Sequence, residues 1–129
     1  VGDAPARAFA YAVLRVVPSI ERGERLNVGV VVYCRQHDFL ELRAHVDDGR
    51  LAALAPEVDP EPVRSRLRAL AEVIDGDPAA GALGRLPPSE RFGWIVAPTS
   101  TMLQPSAVHT GMTDDPRVSL DRLFEQLVA

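Results

Sequence analysis

The sequence predicts an α+β fold: an antiparallel sheet in the order β-β-β-α-α-α-β-α, with helices packed mainly on one face. Three observations predict it. Two apolar, β-branched runs sit close together in the first third of the chain, followed by an alternating one. After Val46 the hydrophobic period changes from two to about 3.6. No strand–helix–strand repetition follows, so a doubly wound sheet with a Rossmann-like cofactor site is not expected.

Residues 1–7 carry no periodic pattern and read as a flexible N-terminus ahead of a single domain over 8–129. The first strand runs from Ala8 to Val17. Phe9, Tyr11, Val13, Arg15 and Val17 share one face and Ala10, Ala12, Leu14 and Val16 the other, the pattern of a strand covered on both sides. Pro18 is expected to end it. A polar connection over 18–25 holds Gly23, which supplies the permissive backbone of a turn. The second strand, Leu26 to Cys34, contains Val28-Gly29-Val30-Val31-Val32-Tyr33, the densest β signal in the chain. Arg35 to Asp38 is hairpin length, and Phe39 to Val46 alternates as a third strand with one wet face.

Asp47 and Asp48 are placed to cap a short helix carrying Leu51 and Leu54 and stopped by Pro56. Asp59-Pro60 is a cap followed by a proline at the first helical position. Val63, Leu67, Leu70, Ala71 and Ile74 then form one stripe, which Gly76 terminates. Residues 77–86 read as a Gly/Ala loop. Pro88 opens a third helix that Pro98 closes, with Phe92, Ile95 and Val96 inward. Ser100 to His109 reads as extended, with Pro105 inside it making it either an edge strand or a broken one, and Gly111 to Asp115 reads as a turn. Asp115-Pro116 repeats the cap-then-proline start for a last helix with Leu120, Leu123, Phe124, Leu127 and Val128 on its buried side.

Composition removes several chemistries. All 14 basic residues are arginine. A Walker-type phosphate loop, a protein kinase site and a Schiff-base mechanism each need a lysine the chain lacks. A formal charge of −4 argues against generic nucleic-acid binding. With one cysteine, Cys34, neither an intrachain disulfide nor a multi-cysteine zinc site can form. No apolar run approaches the ~20 residues of a membrane span, and no export signal is visible, so the expected compartment is the cytoplasm. No cofactor motif is present.

Four constellations remain. Glu21, Arg22, Glu24 and Asn27 lie on a loop between two strong strands and can grip a polar ligand or partner. The competing reading is a solvated connection whose charges pair with each other, with Asn27 hydrogen-bonding the turn backbone. Ser100, Thr101, Gln104, Ser106, His109 and Thr110 gather hydroxyls, an amide and an imidazole. Ser106 and His109 are three apart, hence on opposite faces of an extended chain, and no Gly-x-Ser-x-Gly elbow exists, so an edge strand or binding edge is expected there rather than a catalytic serine. His45, Asp47 and Asp48 can start a metal site, but helix caps explain the aspartates without one, and no metal is expected. Arg91, beside the start of the third helix, can hold an anion or form a surface ion pair.

Several of these residues together resemble a known family. Tyr11-Ala12-Val13-Leu14-Arg15, Pro18, Glu21-Arg22-Gly23-Glu24 and Asn27-Val28-Gly29-Val30 are similar to the opening of a bacterial family classed as a domain of unknown function, DUF3037. Residues 51–56, Ser89-Glu90-Arg91-Phe92, Ala97-Pro98, Gln104-Pro105-Ser106 and Val108-His109-Thr110-Gly111 extend the likeness over about 8–128. The resemblance implies no catalytic residue. It implies a protein partner, since members are often encoded beside a kinase-like protein. The leading expectation is therefore a non-enzymatic accessory or regulatory interaction module. One alternative is a small hydrolase or transferase using His109 with Glu21 or Asp115 and an arginine clamp. Another is an anion sensor at Arg22, Arg25 or Arg91. A shared site requires the Glu21–Asn27 loop and the Ser100–Thr110 segment to lie side by side.

Overall fold

The computed structural model describes residues 5–99 and 101–129. The long strand β1 (Arg7–Ser19) is the centre of the sheet. On one side it pairs with β2 (Glu24–Cys34), which pairs in turn with β3 (Phe39–Ala44). On its other side two short strands lie end to end: β4 (Leu103–Pro105) against Leu14–Val16, and β5 (His109–Thr113) against Arg7–Tyr11. All pairings are antiparallel.

Of the two forms expected for Ser100 to His109, an edge strand or a broken one, the structure shows the broken one, as two edge strands. The ladder ends just after Pro105: Ser106 N–H still donates to Val13 O at 2.7 Å, but Val13 N–H turns to the Ser106 hydroxyl instead of a carbonyl, and pairing resumes at His109. The turn expected over Gly111–Asp115 is strand as far as Thr113. Gly111 is glycine for lack of room, not for chain reversal: a Cβ there would stand 2.7 Å from the Phe9 ring. Pro18 lies inside β1 rather than ending it. The register slips between Val16 and Ser19, so no ladder bond is lost to its missing N–H. The β1–β2 turn closes through Gly23 N–H donating to Ile20 O at 3.2 Å, with Gly23 at φ 69°.

Helices α1 (Asp48–Leu54), α2 (Pro60–Asp75) and α3 (Pro88–Val96) cover one face of the sheet. Leu51, Val63, Leu67, Leu70, Ile74, Phe92 and Ile95 pack there on Ala12, Leu14, Val16, Val28 and Val31. Helix α4 (Pro116–Leu127) covers the opposite face alone, where Leu120, Phe124 and Val128 meet Phe9, Val30, Val32 and Cys34. This two-sided cover is why β1 and β2 are apolar on both faces. Cys34 is fully buried, its Sγ 3.5 Å from Ala8 O, as a small core residue. Arg43 pairs with Asp121 at 2.9 Å and stacks 4.1 Å over Phe124, pinning α4 to β3.

The expected caps form. Asp47, Asp59 and Asp115 each accept a first-turn backbone N–H, and Gly76 closes α2 in the left-handed region at φ 65°. Residues 77–86, read as a loop, are two 3-10 turns over Pro78–Arg85 joined at Gly81 and capped by Asp77. Of the flexible terminus expected over 1–7, residues 1–4 lie outside the described residues and Arg7 already belongs to β1. Among the described residues no helix is long and apolar enough to cross a membrane.

Candidate functional site

The β1–β2 turn and the stretch entering β4 lie against each other. Val17 N–H donates to Met102 O at 2.7 Å, and Arg15 pairs with Gln104 across the ladder. Between them is an open cavity of about 460 Å³, lined by Ser19 and Glu21 from the turn and by Thr101 and Gln104 from the other segment. Met102, exposed at 43 %, also borders a larger apolar groove of about 690 Å³ reaching Pro18, Val58 and Val63.

The two segments therefore meet at their near ends only. His109 sits opposite Tyr11, its ring 5.2 Å from the tyrosine ring, and Thr110 sits opposite Ala10. From Tyr11 to Ser19, where the turn begins, is eight strand steps, about 26 Å at 3.3 Å each. Glu21 and His109 are not brought together, and direct proton transfer requires contact near 3 Å. Asp115 uses its carboxylate to cap α4.

Other side chains have structural partners. Arg22 and Glu24 form an exposed ion pair at 2.6 Å. Asn27 does not close its own turn; its Nδ2 donates 3.0 Å to Leu127 O, fastening the end of α4 to the sheet. Thr101 Oγ1 donates to Leu103 O at 2.8 Å. Ser106 is buried, its hydroxyl accepting from Val13 N–H and donating to Ala107 O, both at 2.9 Å. Arg91 turns inward: Nε donates to Leu86 O and Nη1 to Val73 O and Ile74 O, so its guanidinium clamps the end of α2. Asp47 caps α1 and Asp48 pairs with Arg64. Ser100 lies outside the described residues. Among the described residues no three His, Cys, Asp or Glu side chains gather closely enough to hold a metal ion.

The residue that sequence reasoning missed is Arg15. Its backbone sits between Asn27 and Gln104 in one row across the sheet. Burial, and secondarily the charge of Arg25, lowers the pKa of its guanidinium. The available signal was an arginine in an otherwise apolar strand face, Phe9, Tyr11, Val13, Arg15, Val17.

Comparison with known proteins adds one relationship. No curated protein and no solved structure matches the chain. The family model described as "Protein of unknown function (DUF3037)" matches residues 11–128, which include every element from Tyr11 of β1 to the end of α4. The chain belongs to the DUF3037 family.

Proposed function

We propose that the protein is a non-enzymatic interaction module whose β4–β5 edge receives an extended segment of a partner protein. The observation that carries this reading is the character of that edge. β4 and β5 each pair only with β1, so the outward N–H and C=O groups of His109–Thr113 have no strand beside them among the described residues. Along the same border Met102, Val108 and Met112 are exposed, Met112 at 66 %. Sheet edges are ordinarily blunted by charge, proline or short length; Pro105 and its three-residue length blunt β4, while β5 carries hydroxyls and an apolar side chain and no formal charge. Strand addition draws affinity from the backbone and specificity from alternate side chains. The opposite edge differs, since Glu41 and Arg43 of β3 are engaged with Arg117 and Asp121 of α4.

The kinase-like protein implied by the family resemblance is the partner to test. Co-expression should yield a complex with the wild type. The double variant Val108→Glu, Met112→Glu should lose it while keeping its circular dichroism and melting behaviour, because both positions are exposed. A complex that survives the double variant overturns docking at this edge. A monodisperse monomer that captures no kinase-like protein overturns the partner assignment.

A further inference from the structure

We propose that Arg15 and Arg25, with Asn27 and Gln104 beside them, form a binding site for a dianionic oxyanion on the sheet face that carries α4.

The placement follows from register. Facing residues in an antiparallel ladder share a face. Asn27, Arg15 and Gln104 face one another across β2, β1 and β4. Asn27 reaches the end of α4, which fixes the side of the sheet. Arg25 lies two residues from Asn27 and so on that same side, diagonal to Arg15. A bulge delivers this geometry. The register passes from Leu14–Gly29 to Arg15–Asn27, leaving Val28 extra, and Val28 turns into the core on the other face. Without that inserted residue Asn27 and Arg25 would fall on the opposite side.

The two arginines lack protein counter-ions. Neither makes an ion pair among the described residues, a condition shared with seven other arginines, so what distinguishes the pair is the surroundings of Arg15. Arg15 Nε is buried with no hydrogen-bond partner. Neither arginine donates to the carbonyls at the end of α4 among the described residues; the side-chain donors there are Asn27, to Leu127 O, and Arg50, to Val128 O. Two like charges held together, one partly desolvated, are unfavourable until an anion joins them. Arginine forks suit carboxylate and phosphate oxygens alike. The ligand class is therefore a phosphate monoester or a dicarboxylate. The site shares Gln104 with β4 but uses neither the outward backbone groups of β5 nor Val108 and Met112, so its test is separate from that of the docking edge.

The test is thermal melting and calorimetric titration of the intact protein at constant ionic strength, with inorganic phosphate in one arm and succinate in the other. The expected result is a saturable rise in melting temperature of a few degrees at saturating anion. The arm that gives the tighter binding identifies the ligand class. Arg25→Gln, at an exposed position, should weaken binding by about tenfold or more. It should also leave the anion-free protein at least as stable as wild type, because it removes a repulsion. Arg15→Gln should do the same; if that variant does not fold, Arg25→Gln alone decides. No saturable response in either arm overturns the proposal. So does a response that Arg25→Gln leaves unchanged, or an anion-free Arg25→Gln protein clearly less stable than wild type.

Discussion

Val13 and Ser106 are joined by a reciprocal pair of hydrogen bonds in which a side chain replaces a backbone carbonyl. Ser106 N–H donates to Val13 O at 2.7 Å, and Val13 N–H donates to Ser106 Oγ at 2.9 Å. The pair sits where β4 has ended and β5 has not begun. Its hydroxyl satisfies a buried N–H that the broken edge would otherwise abandon.

Removing that hydroxyl should therefore cost stability. Ser106→Ala leaves the Val13 N–H buried and unpaired, and should lower unfolding free energy by about 1–3 kcal/mol. Thr110→Ala, at an exposed hydroxyl four residues on, should stay within about 0.5 kcal/mol of wild type. Urea denaturation of the two variants side by side checks both. Equal midpoints would mean that water reaches Val13 once Ser106 is gone.

Gly111→Ala tests the closest approach between β5 and β1. The added methyl would meet the Phe9 ring at 2.7 Å, and Phe9 is itself buried and stacked on Tyr11 with ring centroids 5.9 Å apart. The ring has little room to move, so a loss of about 1–3 kcal/mol is expected, typical of overpacking. The double variant Gly111→Ala, Phe9→Leu should recover part of that loss relative to Phe9→Leu alone. Additive losses would place the strain elsewhere.

Much of this fold was legible because local signals and tertiary structure agree. Asp59-Pro60 and Asp115-Pro116 marked helix starts through the cap and the fixed proline φ, which need no tertiary context. Val28–Tyr33 was legible from β-branched density, and Arg35–Asp38 from its length. What failed depended on neighbours distant in sequence. Gly111 looks like a turn glycine until Phe9 is laid over it. Asn27 looks like a turn asparagine until Leu127, a hundred residues away, is brought to its amide. Arg91 looks like a surface cation until the α2 carbonyls appear beside it. In the candidate site, the meaning of Arg15 rests on a register and a bulge, neither of which periodicity reveals.

Asp47 gives the acid dependence a sign. Its pKa lies below the ordinary carboxylate value, chiefly because the Arg50 backbone N–H hydrogen-bonds the charged form at the start of α1. A carboxylate depressed on folding contributes stability above its unfolded pKa, near 3.9, and loses that contribution as pH falls through the lower folded value. Asparagine caps about as well and does not titrate. Asp47→Asn should therefore match wild type closely near pH 7 and lose less stability than wild type below about pH 4. Melting curves from pH 7 downward read this directly, and parallel acid limbs for the two proteins would remove Asp47 from the account.

Arg91 should behave as a clamp rather than as an anion receptor. Its guanidinium joins the last turn of α2 to Leu86, so it couples α2, the 3-10 turns and the start of α3. Arg91→Ala should cost about 1–3 kcal/mol through Leu86 O and Ile74 O, which lose their donor, whereas Val73 O keeps the Gly76 N–H. Arg91→Lys should recover only part of this, because an ammonium cannot reproduce the planar fork that reaches Leu86 O on one side and the α2 end on the other. The loss should be local as well as global. Amide exchange should quicken at Gly76 and Asp77, whose N–H groups close the end of α2 on Val73 O and Glu72 O, before it quickens in β1. Phosphate should not restore the stability of Arg91→Ala, since no anion-binding group has been removed. If it does, Arg91 is part of an anion site and the clamp reading is wrong.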